Sequence, residues 1–145
     1  MNSGAHLLIS LAVGAIVVLF GPGPVDAPTA LVLAVGAGVL IDLDHFVLAR
    51  YNTGSWNAVR RVLRDPALLV IGQDSIFEQT DVWRIQRLLS HFGVATVAVA
   101  VVAGVAPGYV PVVGAALYAH VGADLVEDAR SEKEYVRRSA EALES

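Results

Sequence analysis

The chain consists of long apolar segments separated by short turns or by polar sequence. Because an α-helix rises 1.5 Å per residue, about 19 apolar residues reach roughly 28 Å, close to the ~30 Å hydrocarbon core of a bilayer. Glycine and proline interrupt the apolar sequence at residues 21–24 and 107–108, where a helix is expected to end. The pattern predicts an all-α protein, an integral membrane four-helix bundle, with spans at about residues 3–20, 29–49, 91–106 and 110–126.

The loop at residues 50–90 differs from the spans, since it holds both tryptophans and several arginines. Between residues 55 and 64, Trp56 and apolar side chains alternate at helical spacing with three arginines, a pattern typical of a helix that lies in the headgroup layer. Ser75 and Glu78 have the spacing of a capping box, which predicts a second helix that begins at Ser75 and continues into the third span. We therefore predict interfacial amphipathic helices in this loop; the alternative is a solvated connector.

The composition also indicates a membrane protein. Of the 145 residues, 55% are hydrophobic and 17% are charged, and the mean hydropathy of +0.60 is too high for an ordinary soluble protein. The length fits a single membrane domain, residues 1–145. The absence of cysteine excludes disulfides and thiolate metal ligands, and the net charge of -4 argues against a nucleic-acid partner. No basic residue precedes the first apolar segment, so we expect a retained span and not a cleaved signal peptide.

The basic residues predict the orientation of the spans. Every lysine and arginine lies in residues 50–90 or 127–145, whereas the two short turns at the other ends of the spans have none. By the positive-inside rule, the loop and the tail are expected in the cytoplasm and the protein in the cell (inner) membrane. The tail carries acids and bases at helical spacing, which predicts a solvated continuation of the last helix.

Histidines and acidic residues occur near the ends of the spans. Because four alternating spans bring these ends to the same membrane face, the side chains are expected to meet on the cytoplasmic side. Ionisable groups in apolar segments are costly and occur mainly where they bind something or line a cavity. One such histidine alone is more often a polar cap, but the group as a whole favours a metal site. The candidate ligands are His6, Asp42, Asp44, His45, His91, His120 and Asp124.

The local spacing supports shared helix faces for two pairs of these residues. Asp42 and His45 are three residues apart, and His120 and Asp124 are four apart, so each pair lies on one face of a helix. Asp44 lies about 200° around an ideal α-helix from Asp42, so we expect it to contact the site from outside or the helix to be frayed there. Nitrogen and oxygen ligands of this kind suit zinc, with manganese as the alternative.

The order of these motifs resembles that of the YdjM-type family of membrane-bound, metal-dependent hydrolases. That family has an early His, a Pro-Asp-x-Asp-His motif, a His-Arg-x-x-Thr-His-Ser motif and a late His with an Asp one turn later. The matching positions here are His6 and residues 41–45, 86–92 and 120–124. Ile41 replaces the proline, and Gln86 replaces a histidine that is a potential ligand. The family is distantly similar to zinc-dependent phospholipase C and single-strand nuclease enzymes, which implies a helical metal site that cleaves phosphoesters.

These observations predict a membrane-bound, metal-dependent hydrolase of the phosphoesterase class, in which the ion activates water. Arg87, one turn before His91, is placed to hold a phosphate as a bidentate donor, and Asp44 is expected to assist catalysis. A site at headgroup level suggests membrane lipids as partners and a lipid or lipid-linked phosphoester as the substrate.

The main alternative is a non-enzymatic, metal-stabilised membrane scaffold or partner-binding protein. Ion transport is disfavoured, because the spans contain few polar residues beyond Ser10, Thr29 and Thr96. The sequence leaves the substrate, the number of metal ions and the oligomeric state open.

Overall fold

The computed structural model describes residues 3–21, 25–69, 71–78 and 80–144, and these residues form helices and turns with no strand. The all-α prediction is confirmed. Within the described ranges, short 3-10 turns occur at Ile41–Leu43, Pro66–Leu69, Gln73–Ser75 and Pro107–Tyr109. The α-helices are α1 Ser3–Phe20, α2 Ala27–Leu40, α3 Asp44–Thr53, α4 Asn57–Arg64, α5 Arg84–Val105 and α6 Val110–Glu144.

Three helical segments are long and apolar enough to cross a membrane, namely Ala27–Thr53, Arg84–Val105 and Pro107–Glu141. The apolar segment of α1, Gly4–Phe20, is shorter. Large apolar side chains cover the outer faces of these helices, and Leu19, Val32 and Val97 are 72%, 71% and 64% exposed. Water is a poor solvent for so much exposed apolar surface, and the structure therefore agrees with membrane association.

Small residues allow the helices to pack closely. A Cβ added to Gly14 of α1 would lie 2.9 Å from the Cβ of Ala34 on α2, and one added to Gly38 would collide with Ser10 Oγ. The two glycines of α2 differ, because Gly38 lies at this close contact whereas a Cβ added to Gly36 would meet no atom of the described residues within 4 Å. Helix α6 contacts α1, α2 and α5, and the core that results contains Ala30, Ala34, Ile41, Val112, Val113, Ala116 and Leu117.

The start of α2 is defined by its N-cap. The Asp26 carboxylate accepts a hydrogen bond of 2.9 Å from the backbone N–H of Thr29, and Pro28 occupies the first turn, where its missing N–H is tolerated. Hydrogen bonds from the Thr29 hydroxyl and backbone N–H lower the pKa of the Asp26 carboxyl below its usual value.

The connection between α3 and α5 has a small core of its own. Helix α3 ends at Gly54, whose φ of 69° is readily adopted by glycine. Ala58 of α4 packs with Ala49 of α3 and with Ile76, while Leu63 on α4 is 76% exposed. The amphipathic helix predicted within residues 55–64 is therefore present as α4.

The predicted helix start at Ser75 is wrong. Gln73–Ser75 forms a 3-10 turn, and the next α-helix begins at Arg84. The Asp81 carboxylate accepts a 2.9 Å hydrogen bond from the Glu78 N–H, and the Asp81 N–H donates to the Glu78 oxygen at 3.0 Å. These two bonds join Glu78 to Asp81 and use polar groups that a continuous helix would need for its own hydrogen bonds.

Candidate metal centre

Four side chains from three parts of the chain converge in a buried cluster that can hold a metal ion. Asp42 lies in the 3-10 turn between α2 and α3, His91 lies on α5, and His120 and Asp124 lie one turn apart on α6. His91 and His120 are each 1% exposed. One nitrogen or oxygen atom of each residue lies within 4.8 Å of the others, so the four atoms surround a common point.

Four of the six distances between these atoms are those expected between the ligands of one bound ion. His91 Nε2 lies 3.4 Å from Asp42 Oδ1 and 3.5 Å from Asp124 Oδ2. His120 Nε2 lies 3.3 Å from Asp42 Oδ1 and 3.5 Å from Asp124 Oδ2. Four ligands at about 2.0–2.1 Å from a zinc ion in tetrahedral geometry are separated from one another by about 3.3–3.4 Å. The residues present therefore fit a divalent ion bound by two imidazoles and two carboxylates.

The other nitrogen of each of these imidazoles is already hydrogen-bonded. Nδ1 of His91 lies 2.8 Å from Asp44 Oδ2, and Nδ1 of His120 lies 2.7 Å from the backbone oxygen of Gly38. Since a carboxylate and a carbonyl only accept, each Nδ1 is the protonated donor. In the neutral form of each imidazole, Nε2 then carries the free electron pair that can bind a metal ion. Both Nε2 atoms are buried without a hydrogen-bond partner, so a metal ion could satisfy both of them.

The 3-10 turn at Ile41–Leu43 explains how two acids on one short segment reach the same imidazole. A 3-10 helix turns about 120° per residue and an α-helix about 100°, so Asp42 and Asp44 lie about 120° apart around the axis and not about 160°. Asp42 then faces Nε2 of His91, and Asp44 holds Nδ1. The ideal α-helix is therefore interrupted at this point, by a 3-10 turn and not by fraying.

The two remaining histidines lie next to the four-residue cluster. His6 Nε2 is 3.3 Å from Asp124 Oδ1, the oxygen that faces away from His91, and the His6 ring stacks on His120 at 3.8 Å. His45 Nε2 is 3.7 Å from Asp42 Oδ1, and its ring stacks on His91 at 5.1 Å. The structure thus brings all the predicted ligands together at one end of the helices.

Arg87 is held by acids on α6. Its guanidinium donates a 2.7 Å hydrogen bond to Asp128 Oδ1, and its Nε lies 3.7 Å from Asp124 Oδ2. Asp128 also pairs with Arg84, at 3.4 Å. The sequence analysis missed Asp128 and Arg84, although Asp128 follows Asp124 by one turn and Arg84 precedes Arg87 by one turn, so each shares a helix face with a predicted site residue.

Gln86, at the position of a histidine in the resembling family, is engaged with α3. Its Oε1 accepts a hydrogen bond of 2.6 Å from Asn52 Nδ2, and its Nε2 donates one of 3.0 Å to Asn52 Oδ1. This reciprocal amide pair uses both polar ends of the side chain and ties α3 to α5.

A cleft of about 620 Å³ reaches the cluster at Asp42 and His45. Its lining includes apolar side chains of α2, of the 3-10 turn after it, of α3 and of the connection before α5, namely Val39, Leu40, Leu43, Phe46, Ile76 and Phe77. It also includes polar and charged side chains, namely Glu78, Arg84, Arg87, Glu127, Asp128, Ser131 and Arg138. The cleft therefore presents apolar side chains, three arginines and several acids to the same molecule.

Comparison with family models, with curated proteins and with solved structures gives no match to this chain. The resemblance to the YdjM-type family thus rests on the order of the motifs alone.

Proposed function

We propose that this protein is a membrane-bound, metal-dependent hydrolase that cleaves a phosphoester of a lipid or lipid-linked substrate. One observation carries the proposal: two buried imidazoles have Nδ1 fixed by acceptors, and each of their Nε2 atoms lies 3.3–3.5 Å from an oxygen of Asp42 and of Asp124. Hydrogen-bond acceptors at Nδ1 orient the histidines of metal sites and increase the basicity of these ligands. Zinc is the proposed ion, with manganese as the alternative.

The proposed membrane arrangement has four spans that alternate in direction. They consist of α1, the segment Ala27–Thr53, α5 and the apolar part of α6. The metal cluster then lies at the cytoplasmic face of the inner membrane, because the basic residues lie at the same ends of these helices as the cluster. Helix α4 is proposed to lie in the headgroup layer, with exposed Leu63 toward the lipid and its arginines near phosphates.

The cleft supports a lipid phosphoester as the substrate class. Its apolar lining residues include Leu40 and Leu43 at and just after the end of α2, which are 60% and 53% exposed and suit an acyl or polyprenyl chain. Arg84 and Arg87 in the same lining suit an anionic headgroup. A molecule that is apolar at one end and phosphorylated at the other can contact both sets of residues while its phosphate lies beside Asp42.

The side chains have separate roles in this proposal. Asp42, His91, His120 and Asp124 bind the ion, while Asp44 and the carbonyl of Gly38 orient the two imidazoles. A bound divalent ion would supply a water molecule that ionises near neutral pH and would neutralise charge on the phosphoester. Arg87 holds a non-bridging phosphate oxygen and stabilises the negative charge that develops there. Burial of the two histidines excludes bulk water from the ligand atoms.

The test is metal analysis of the detergent-purified protein together with hydrolysis of a substrate panel. The panel contains long-chain phosphomonoesters, phosphodiesters and pyrophosphates, each paired with a short-chain, water-soluble counterpart. We expect bound zinc or manganese, release of phosphate from a long-chain member, and loss of both in His120→Ala. A metal-free protein, or activity that His120→Ala leaves unchanged, would contradict the proposal.

A second candidate function is a non-enzymatic, metal-stabilised scaffold. It is favoured by the number of ligands, since four protein ligands complete a tetrahedron and sites of that kind are usually structural. The ion would then only join the α2–α3 junction, α5 and α6. Loss of thermal stability on chelation, with no hydrolysis of any panel member, would favour this alternative.

A further inference from the structure

Two of the buried polar atoms without a hydrogen-bond partner lie next to each other beside the metal centre. They are Nε2 of His45 and Oδ1 of Asp44, which lie 3.8 Å apart, too far for a hydrogen bond between them. The side chains are 16% and 9% exposed. The other oxygen of Asp44 accepts from His91, so Oδ1 is the atom that this carboxylate has left for a ligand. Leaving a buried carboxylate oxygen and a buried imidazole nitrogen unsatisfied costs free energy, so the two atoms together indicate a missing partner.

A third oxygen faces the same position. Asp42 Oδ1 lies 3.7 Å from His45 Nε2, while it also lies 3.4 Å from Nε2 of His91 and 3.3 Å from Nε2 of His120. Asp42 is therefore shared between the four-residue cluster and the pair formed by Asp44 and His45. A carboxylate in such a place can bridge two metal ions, as in the two-metal sites of phosphatases and nucleases.

We infer that the protein binds a second divalent ion between Asp42, Asp44 and His45, next to the ion bound by Asp42, His91, His120 and Asp124. The ligand atoms of the second position are 3.7 and 3.8 Å apart, so they need to approach one another by about 0.4 Å to reach tetrahedral distances around zinc. A shift of that size is within the reach of side-chain rotation.

The two positions differ in how open they are. The first has four protein ligands, and two of them are 1% exposed, so it has no obvious place for a substrate. The second has three protein ligands, and Asp42 and His45 line the cleft. Catalytic metal sites keep an open position whereas structural sites are closed. The inference extends the proposed hydrolase by assigning contact with the phosphoester to the outer ion and a mainly structural role to the inner one.

The inference is tested by counting Mn²⁺ ions per chain in detergent-purified protein by titration, with the electron paramagnetic resonance spectrum as a second readout. We expect two ions in the unmodified protein, with a spectrum that shows exchange coupling through a shared carboxylate. His45→Gln and, separately, Asp44→Asn are expected to bind one ion, with the spectrum of an isolated Mn²⁺. Retention of that ion shows that the variant is folded. Asn52→Ala is the matched control on the same helix, and it is expected to bind two.

The outcomes separate this inference from the proposed function. One ion in the unmodified protein, unchanged in His45→Gln, would overturn the second position and leave the proposed centre intact; a buried water would then satisfy His45 and Asp44. Two ions that persist in both variants would show that other residues bind the second ion. Loss of both ions in both variants, while Asn52→Ala keeps them, would overturn the inference that the two ions bind at separate positions. No bound ion in any form of the protein would overturn the inference and the proposed function together.

Discussion

Nδ1 of His120 donates a 2.7 Å hydrogen bond to the backbone oxygen of Gly38, and this contact links helix packing to the candidate metal centre. Gly38 is also a position where α1 and α2 approach closely, because a Cβ there would collide with Ser10 Oγ. One residue therefore sets both the distance between two helices and the orientation of a ligand imidazole. Small residues at helix crossings are usually explained by packing alone, but here packing determines where a hydrogen-bond acceptor lies.

Gly38→Ala is expected to weaken metal binding although no ligand is changed. The added methyl group pushes α1 away from α2 and moves the carbonyl that orients His120, and loss of such a partner typically lowers metal affinity about 10–100-fold. Gly36→Ala is the matched control, because a Cβ at Gly36 meets open space among the described residues. Competition with a fluorescent chelator measures both affinities. Equal affinities in the two variants would contradict the coupling between Gly38 and His120.

Removal of the metal is expected to destabilise the whole helical assembly. The cluster connects the α2–α3 junction with α5 and α6, so the ion binds only the folded protein. At a free zinc concentration 100 times Kd, binding contributes about 2.7 kcal/mol, which corresponds to a fall in Tm of roughly 5–10 °C on chelation. Thermal unfolding in detergent with and without a chelator measures the shift. His91→Ala should be insensitive to the chelator, and a variant that still responds would place the stabilising ion elsewhere.

The helices and their order could be predicted from the sequence because they depend on local hydrophobic patterns. The pairing of His120 with Asp124 follows from helical spacing, and the meeting of distant residues at one end follows from alternation of apolar segments. The helix start was wrong at Ser75 because Asp81, a residue outside the capping pattern, closes a turn with Glu78 instead. The local sequence favoured a helix start at Ser75, but the competing hydrogen bond between Glu78 and Asp81 formed instead.

The finer geometry of the centre depends on how the helices are rotated about their axes, which no local pattern specifies. The pairing of Arg87 with Asp128 needs α5 and α6 to face each other along one particular stripe. The role of the Gly38 carbonyl also could not be predicted, because every residue has a backbone oxygen and the sequence does not show which one His120 contacts. The 3-10 turn at Ile41–Leu43 could be predicted only in part. The spacing of Asp42 and Asp44 indicates that a regular α-helix cannot turn both acids toward one site, but it does not specify a 3-10 turn.

Gln86→His is expected to leave the number of bound metal ions unchanged. The resembling family has a histidine at this position that is a potential ligand, but Gln86 forms two hydrogen bonds with Asn52 and is tied to α3. The substitution breaks at least one of these bonds, and the free energy of unfolding is expected to fall by about 1 kcal/mol. Elemental analysis and chemical unfolding provide the two measurements. A gain of one ion per chain would show that position 86 can reach the centre.

A double-mutant cycle tests the structural role of the same pair. Gln86→Ala and Asn52→Ala should each destabilise the protein, and the double variant should be little less stable than either single variant, because both remove the same two hydrogen bonds. Additive losses would mean that the two amides act independently.

Arg87→Lys is expected to lower kcat without loss of the metal. The planar guanidinium donates to Asp128 at 2.7 Å while its Nε lies 3.7 Å from Asp124, and it remains at the wall of the cleft where a phosphate is proposed to lie. A lysine keeps the positive charge but is a single point donor, so it cannot hold Asp128 and two phosphate oxygens in the same plane. Loss of one donor to a developing anion typically lowers kcat by about 10²-fold. Arg130→Lys, at an exposed position of α6 outside the cleft lining, is the matched control and should retain full activity. Equal kcat values for the two variants, with equal metal content, would show that Arg87 only forms ion pairs with α6 and does not hold the phosphate.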